Sequence, residues 1–181
     1  MEKLVEKYNK EIKQNLMREL NKKNVFDIPR LEKVVVSVGI GDYKEQKEVI
    51  EKIAAELTRI TGQKPKTNMS KKAVSAFKLR IGQPVGLTVT LRGARMFDFI
   101  DRLINLSLPR VRDFRGISKN AFDGNGNYSI GIREYSIFPE VRYENISTMF
   151  GLGISLKTSA KNKEEALALL TALGFPFEKG K

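Results

Sequence analysis

The first twenty residues repeat an apolar side chain at every fourth position, which indicates an amphipathic helix with one apolar side. A polar cluster at residues 21–24 ends this helix. A second amphipathic helix is predicted from about Lys44 to Ile60, and Gly62 follows as its terminating residue. The repeating apolar positions of the first helix are Leu4, Tyr8, Ile12, Leu16 and Leu20.

Four stretches have the alternation or the β-branched composition of strands. The clearest is residues 86–92, where apolar and polar side chains alternate without exception. The others are residues 31–38, 128–133 and 153–159, and we expect the last two to be antiparallel.

Two further helices complete the predicted elements. One runs over residues 94–106, and Pro109 prevents its continuation. The other begins after Asn162, because Glu165 three residues later completes a capping-box pattern. Its predicted apolar side is formed by Leu167, Leu170 and Leu173.

Alternation along the strands gives the predicted sheet two different faces. The face beneath the helices is apolar and comprises Val34, Val36, Val38, Leu87, Val89, Leu91, Ile130, Ile132, Ile154 and Leu156. The opposite face carries hydroxyls and cations: Lys33, Ser37, Thr88, Thr90, Arg92, Arg133, Ser155 and Lys157.

This polar face is able to bind RNA, since hydroxyls can donate to phosphate and ribose and cations neutralise phosphate. The half-solvated sheet of any protein can also show Ser and Thr, so the face alone leaves both interpretations open. Proteins that grip single strands normally offer aromatic platforms for stacked bases. None is predicted here, which favours structured RNA held along its backbone and minor groove.

Positive charge is concentrated in the middle of the chain. The 41 residues from Leu57 to Phe97 contain no Asp or Glu but nine Lys or Arg. Extended to Asn120, the segment has 14 cations and three carboxylates, and it supplies nearly all of the formal net charge of +12. Such a surface attracts polyanions, so nucleic acid is the first hypothesis. A solvated lysine face is the alternative, but it does not explain the missing carboxylates.

A long basic stretch at residues 64–84 is predicted as a loop or an extended hairpin, with a possible short strand at residues 74–79. Phe77 beside Lys78 and Arg80 could touch a base or a sugar while the cations bind phosphate. Burial of Phe77 in the core is slightly favoured over that contact.

The composition excludes several kinds of chemistry. The 181-residue chain has no Cys and no His, so it lacks disulfides, thiolate metal sites and the usual general base. We therefore predict no catalytic residue, no metal and no cofactor. The length suggests a single domain over residues 1–181. Without an apolar run of membrane-spanning length or a targeting segment, we expect a cytoplasmic protein with no membrane partner.

Two local motifs carry little specificity. Gly39-Ile40-Gly41 follows a predicted strand as a dinucleotide-binding loop would, but Lys44 stands where the third glycine should be. The cluster of Arg110, Arg112, Asp113 and Arg115 suits either RNA phosphates or an acidic protein partner, and nothing local decides between them.

Six sequence blocks together resemble one protein family. They lie at residues 29–33 (PRLEK), 61–65 (TGQKP), 89–93 (VTLRG), 108–116 (LPRVRDFRG), 122–128 (FDGNGNY) and 174–177 (GFPF). In this order and spacing they closely resemble the fifth protein of the bacterial large ribosomal subunit, ribosomal protein L-five, over essentially the whole chain. The resemblance implies an α+β fold in two layers, with helices on one face of a mostly antiparallel sheet and a long basic loop. It also implies binding to 5S ribosomal RNA in the central protuberance.

By the same resemblance, the polar side chains that contact ribosomal RNA fall at Ser37, Gln63 and Thr90. Many relatives have Asn at the position of Ser37. The Ser37 hydroxyl keeps one hydrogen-bond donor but lacks the second polar group of an Asn amide. Together with the basic and hydroxyl side chains around them, the expected rRNA-binding residues are Lys33, Ser37, Gln63, Lys64, Thr88, Thr90 and Arg92.

The resemblance also implies two further contacts. The long loop of the family reaches the transfer RNA in the peptidyl site, which here assigns Lys71, Lys72, Ser75, Phe77, Lys78 and Arg80. An intersubunit bridge to a small-subunit protein assigns Arg110, Arg112, Asp113, Arg115, Glu140 and Tyr143. The expected partners are 5S rRNA, large-subunit rRNA, peptidyl-site tRNA and neighbouring ribosomal proteins.

Two other classes of function compete with this interpretation. A nucleic-acid-modifying enzyme would need a nucleophile, a base or a metal cluster, and the chain offers no recognisable set. A basic protein-interaction module would bind with a weak dependence on salt.

Overall fold

The computed structural model describes residues 4–141 and 149–178. One antiparallel sheet has the strand order β2-β3-β1-β5-β4, with helices packed alongside it, so the predicted α+β class is confirmed. The strands are β1 Leu31–Gly39, β2 Lys66–Met69, β3 Pro84–Leu91, β4 Tyr128–Ile132 and β5 Leu152–Thr158. The α-helices are α1 Leu4–Lys7, α2 Lys13–Glu19, α3 Lys47–Thr61, α4 Gly93–Arg102 and α5 Lys163–Ala172.

The two faces of the sheet differ as the alternation predicts. All ten apolar residues assigned to the covered face are buried, with at most 9% of their surface exposed. Every residue assigned to the polar face is half-buried or exposed. The predicted assignment of these residues to the two faces is therefore confirmed, because a slip of one residue would exchange the two sets.

The chain divides into two compact units. The first comprises Met1–Val34, Leu91–Ile130 and Ser155–Lys181, and the second comprises Val35–Thr90 and Gly131–Ile154. The expectation of a single functional domain stays a prediction.

In the first unit, the predicted N-terminal helix contains a π-helical turn, Tyr8–Ile12, between α1 and α2. Apolar residues at every fourth position drift around an α-helix of 3.6 residues per turn, and a π turn lengthens the local period. Tyr8, Ile12 and Leu16 are buried as a result. A second π turn, Leu103–Ser107, follows α4 where the sequence predicts a continuous helix.

The predicted apolar side of α5 is partly wrong. Leu169 and Leu170 are fully buried together with Ala166, whereas Leu167 is only half-buried. The capping prediction is also partly wrong, since Asn162 occupies the N-cap without a side-chain hydrogen bond. Glu165 instead accepts from the Lys161 backbone N–H at 3.1 Å and pairs with Lys22 at 2.7 Å, so both of its carboxylate oxygens already have a partner.

In the second unit, α3 begins at Lys47, three residues later than predicted, because Gly41–Tyr43 forms a separate 3₁₀ turn. The helix ends as expected at Gly62, whose φ of 69° lies in the left-handed region that glycine adopts without strain. Ile53, Leu57 and Ile60 bury its apolar side.

Candidate nucleic-acid interface

Within the second unit, several expected rRNA-binding residues are held by hydrogen bonds to neighbouring backbone or side chains. Ser37 on β1 donates from Oγ to the carbonyl of Gly153 at 3.2 Å. A Cβ at Gly153 would lie 2.9 Å from that Oγ, so the glycine leaves room for the Ser37 side chain. The proton of the hydroxyl is used internally, and its lone pairs remain to accept from a ligand.

Gln63 is positioned by the end of α3. The Thr61 hydroxyl donates to the carbonyl of Leu57 at 2.7 Å and accepts from the Gln63 backbone N–H at 3.3 Å. The Gln63 side chain then reaches β3, where its Nε2 donates to the carbonyl of Thr90 at 3.3 Å. The amide oxygen of Gln63 and its second N–H are left for a ligand.

Thr88 and Thr90 present hydroxyls on the polar face of β3. Thr88 accepts from Nδ2 of Asn68 at 3.0 Å, so its own proton stays available to donate. The Thr90 hydroxyl is exposed and has no partner among the described residues. Asn68 is a residue that the sequence pattern does not single out, because residues 66–69 are predicted as part of a loop. In β2, Lys66 pairs with Thr88 and Asn68 pairs with Gly86, which places Asn68 on the polar face.

The three expected cations Lys33, Lys64 and Arg92 form no hydrogen bond or ion pair within the described residues. Lys64 is exposed on the segment between α3 and β2 of the second unit. Lys33 on β1 is half-buried, and Arg92 occupies the N-cap of α4; both belong to the first unit. All three charges are therefore available to phosphate.

The long basic stretch is an ordered hairpin, which we call the basic hairpin and define as residues 66–91. Beyond the paired strands β2 and β3, Ser70 donates its backbone N–H to Gln83 and accepts from Gly82, at 2.8 and 3.0 Å. Nearer the tip, Val74 and Leu79 exchange two backbone hydrogen bonds of 3.0 Å. The predicted strand at residues 74–79 is wrong, because Ser75–Phe77 forms a 3₁₀ turn and Lys78 has a φ of 49°.

Lys44 ties the tip of the hairpin to the rest of the second unit. Its Nζ donates to the carbonyls of Phe77 and Lys78, at 2.9 and 2.8 Å. Charge-assisted hydrogen bonds to two consecutive carbonyls constrain both the position and the orientation of the turn.

The side chains of the tip project into solvent. Phe77 is 72% exposed, so the slightly favoured expectation that it packs in the core is wrong. Lys71, Lys72, Lys78 and Arg80 are exposed and have no side-chain partner among the described residues. Met69, Val74 and Ile81 add exposed apolar surface. The tip therefore combines free cations with apolar side chains that could contact bases or sugars.

Family models match two segments that together cover most of the chain. Residues 24–80 match a model described as Ribosomal protein L5, and residues 84–177 match the model for the C-terminus of the same ribosomal family. Over 176 residues, 97% of each chain, the protein is 51% identical to the large ribosomal subunit protein uL5 of Thermus thermophilus. The uL5 protein from a second strain of that organism matches to the same extent. The chain belongs to the ribosomal protein L5 family.

Membership of the ribosomal protein L5 family establishes the general function of the chain. The chain is a structural, non-enzymatic constituent of the large ribosomal subunit, with ribosomal RNA among its partners. The predicted location, the cytoplasmic ribosome, is likewise confirmed by the family.

Metal sites and membrane spans are two features that would indicate other functions. Within residues 4–141 and 149–178, no group of three His, Cys, Asp or Glu side chains could hold a metal ion. No helix in the same residues is long and apolar enough to cross a membrane.

The expected intersubunit residues are only partly described. Arg110, Arg112, Asp113 and Arg115 are exposed in the first unit, and Asp113 has a left-handed φ of 52°. Glu140 is half-buried in the second unit and has partners of its own. Tyr143 lies outside the described residues. The three arginines, which have no partner among the described residues, leave a positive charge suited to an acidic ligand.

Proposed function

We propose that this ribosomal protein L5 family member binds 5S rRNA through the polar face of its sheet, with the residues predicted from the sequence. One observation carries the proposal: Ser37, Gln63 and Thr88 are held by internal hydrogen bonds, and each keeps a further group for RNA. Gln63 and Thr88 also lie in the segment that is free of carboxylates. A surface fixed in advance loses less side-chain entropy on binding.

The basic hairpin is proposed to contact transfer RNA in the peptidyl site. Its exposed, unpaired cations support this role, and so does the 72% exposure of Phe77, since a base or ribose could cover that ring. Hydrogen bonds from Lys44 hold the tip in place before any ligand arrives.

The arginines at positions 110, 112 and 115 are proposed to face an acidic surface of a small-subunit protein. Together with Asp113, Glu140 and Tyr143 they form the intersubunit contact that the family resemblance implies. Their charge alone would also suit RNA phosphate, so this contact requires a protein-binding measurement of its own.

Salt titration tests the proposed 5S rRNA surface. With six to ten phosphate contacts, affinity for a 5S rRNA transcript should fall by about 10³ to 10⁵ between 50 and 200 mM salt. An unrelated duplex RNA of equal length serves as the control for non-specific binding. A flat logarithmic salt slope on 5S rRNA would overturn the proposal and favour a protein-interaction module.

A further inference from the structure

Phe26 is the most exposed large apolar side chain in residues 4–141 and 149–178, at 92%, and its neighbour Val25 is 54% exposed. The ring is not on a loose segment. Val25–Asp27 forms a 3₁₀ turn, and the Asn24 side chain accepts from the Phe26 backbone N–H at 3.0 Å. Ile28, which follows the turn, is buried and anchors it. An exposed aromatic ring on an anchored turn is suited to contact a ligand.

A small cavity of about 100 Å³ adjoins this ring. Its lining combines apolar surface with two cations and comprises Tyr8, Lys13, Val25, Phe26, Ile28 and Arg30. Lys13 Nζ lies 5.4 Å from the centroid of the Tyr8 ring. Burial raises the pKa of Tyr8, and the positive charge of the Arg30 guanidinium opposes that shift.

The charges around the cavity are unbalanced. Neither Lys13 nor Arg30 has a carboxylate partner among the described residues, whereas Lys22 of the same unit forms an ion pair with Glu165 at 2.7 Å. Asp27 is the one acidic residue of the turn. An anionic ligand with a flat apolar part would satisfy both the exposed ring and the two cations that lack a carboxylate partner.

We propose that Phe26, Lys13 and Arg30 form a nucleotide-binding site for ribosomal RNA, in which an unpaired base stacks on Phe26 and the adjoining phosphates contact the two cations. Aromatic side chains stack any base, and cations beside them take the backbone. The two cations beside the ring favour a polyanion over the row of aliphatic side chains that a protein helix presents. The site lies outside the polar face of the sheet and does not depend on that face being the 5S rRNA surface.

A fluorescence measurement tests the stacking directly. Because the chain contains no Trp, Phe26→Trp introduces a single indole at the proposed platform. A 5S rRNA transcript and protein-free large-subunit rRNA are the two probes. Stacking should quench the emission in a saturable way and protect the indole from acrylamide with at least one of them. Leu106→Trp, at a site 46% exposed, is the control and should show neither change.

Affinity measurements separate the ring from the cations. Phe26→Leu keeps an apolar side chain but removes the aromatic face, so affinity for the responding RNA should fall by roughly 5- to 150-fold with an unchanged salt slope. Lys13→Gln and Arg30→Gln should each lower the slope by at most about 0.9. Melting temperatures should stay the same for Phe26→Leu, since the side chain is exposed.

The proposal is overturned if Phe26→Leu binds both RNAs with the original affinity. It is also overturned if the indole of Phe26→Trp responds to purified ribosomal proteins but to neither RNA, which would make the patch a protein contact. Failure of the sheet surface would look different, because substitutions at Thr90 would then leave 5S rRNA binding unchanged while Phe26→Leu still weakened binding to RNA.

Discussion

Individual polar residues of the candidate surface already use one hydrogen-bonding group inside the protein. Ser37 donates to Gly153, Gln63 donates to Thr90, and Thr88 accepts from Asn68. Each bond fixes a rotamer and leaves a defined donor or acceptor free. Ser37 offers an acceptor and Thr88 offers a donor, so the face presents a fixed pattern of hydrogen-bond donors and acceptors. A surface of Ser and Thr that contacts only solvent would not require such a pattern.

Thr90 provides the simplest test of this surface. Thr90→Val preserves shape and strand preference but removes an exposed hydroxyl that has no protein partner among the described residues. Binding to 5S rRNA should weaken by about 1 kcal/mol, the net value of one hydrogen bond, or roughly fivefold. Filter binding measures the affinity, and thermal melting should show unchanged stability.

The matched control for Thr90 is Thr171→Val, at an exposed position of α5. It should alter neither binding nor melting by more than about 0.5 kcal/mol. Unchanged 5S rRNA binding by Thr90→Val, together with a lower melting temperature, would mean that the hydroxyl stabilises the fold instead of binding RNA.

Asp123 supplies a pH-dependent contribution to stability. Its carboxylate accepts from the Asn127 side chain at 2.7 Å and from the backbone N–H groups of Asn127 and Asn125 at 2.7 and 2.9 Å. These hydrogen bonds, led by that of the Asn127 side chain, lower the pKa of Asp123 below its usual 3.8. A lowered pKa adds stability above the unfolded value, and this stability is lost as pH falls through the folded pKa.

Asp123→Asn should therefore melt at a lower temperature than the parent chain at pH 7, and the difference should shrink as pH falls below about 3.8. Thermal melts from neutral to strongly acidic pH measure both effects. Asp42→Asn removes a carboxylate at an exposed site without a partner among the described residues and is the control for the loss of one negative charge. A difference that stays constant with pH would indicate that the side-chain shape matters and the charge does not.

The sequence predicts the burial of residues whose environment follows from strand alternation. It does not predict the environment of two residues whose positions are set by the pairing of the hairpin strands. Period-two alternation is enough to bury Val34, Val89 and Leu156. The roles of Asn68 and Phe77 depend on cross-strand pairing and on the position of the tip, which one strand's pattern does not contain. A polar residue in a predicted loop can be assigned to a face of the sheet only once the loop is known to be a pair of hydrogen-bonded strands.

At the scale of elements, the basic hairpin is ordered without a hydrophobic core beneath its tip. Phe77 and Ile81 are both 72% exposed, so backbone pairing and Lys44 must hold the conformation. The positive φ of Lys78 allows the turn to direct its carbonyl toward Lys44, although such a φ is unfavourable for a non-glycine residue.

Lys44→Met should loosen the tip while the rest of the chain keeps its stability. The two hydrogen bonds are exposed, so their joint loss should cost about 1 kcal/mol locally and speed amide exchange at Leu79 and neighbouring tip residues roughly fivefold. Hydrogen exchange followed by mass spectrometry measures this change. Peptides from the tip should respond, and those covering α3 should not.

Lys47→Met, at the exposed first residue of α3, is the control because it removes the same charge without breaking a described hydrogen bond. If both variants exchange at the original rate throughout the tip, backbone pairing alone fixes the hairpin. Lys44→Arg should restore the original exchange pattern, since a guanidinium can donate to both carbonyls.

Among the helices and strands too, features set by local residue chemistry are predicted, whereas features set by packing are not. The Gly62 terminus and the strand positions follow from local residue chemistry. The π turn at Tyr8–Ile12 is not predicted, although the four-residue spacing there is longer than an α-helical period. The apolar side of α5 is predicted from leucines alone, and buried Ala166 and Leu169 show that the packed side is set by what the helix contacts.

For the whole molecule, charge distribution is the property that the sequence predicts most directly. The segment free of carboxylates contains both the polar residues of β3 and the cations of the hairpin tip, so net charge alone cannot say which of them meets which RNA. To tell which RNA the hairpin tip binds, two variants have to be compared. One loses positive charge at the tip, and the other loses the same amount of charge elsewhere on the chain.

A fourfold substitution makes this separation. Replacing Lys71, Lys72, Lys78 and Arg80 with Gln removes four positive charges from exposed positions without described side-chain partners, so the chain should still fold. If the hairpin serves transfer RNA, the variant should bind 5S rRNA with an almost unchanged salt slope. Ribosomes carrying it should hold peptidyl-site tRNA less tightly, as measured by tRNA dissociation from purified ribosomes.

The control for the fourfold variant removes the same charge from exposed lysines of other segments, by substituting Lys47, Lys52, Lys161 and Lys163 with Gln. Any general effect of net charge on association should be common to both variants, whereas a contact made by the tip should be lost in one alone. A 5S rRNA salt slope shallower by about three to four units in the tip variant, at about 0.9 or less per lost phosphate contact, would place the hairpin on ribosomal RNA and contradict the tRNA assignment. Because each contact contributes its own share of the slope, the measured change also counts how many of the four cations touch the RNA.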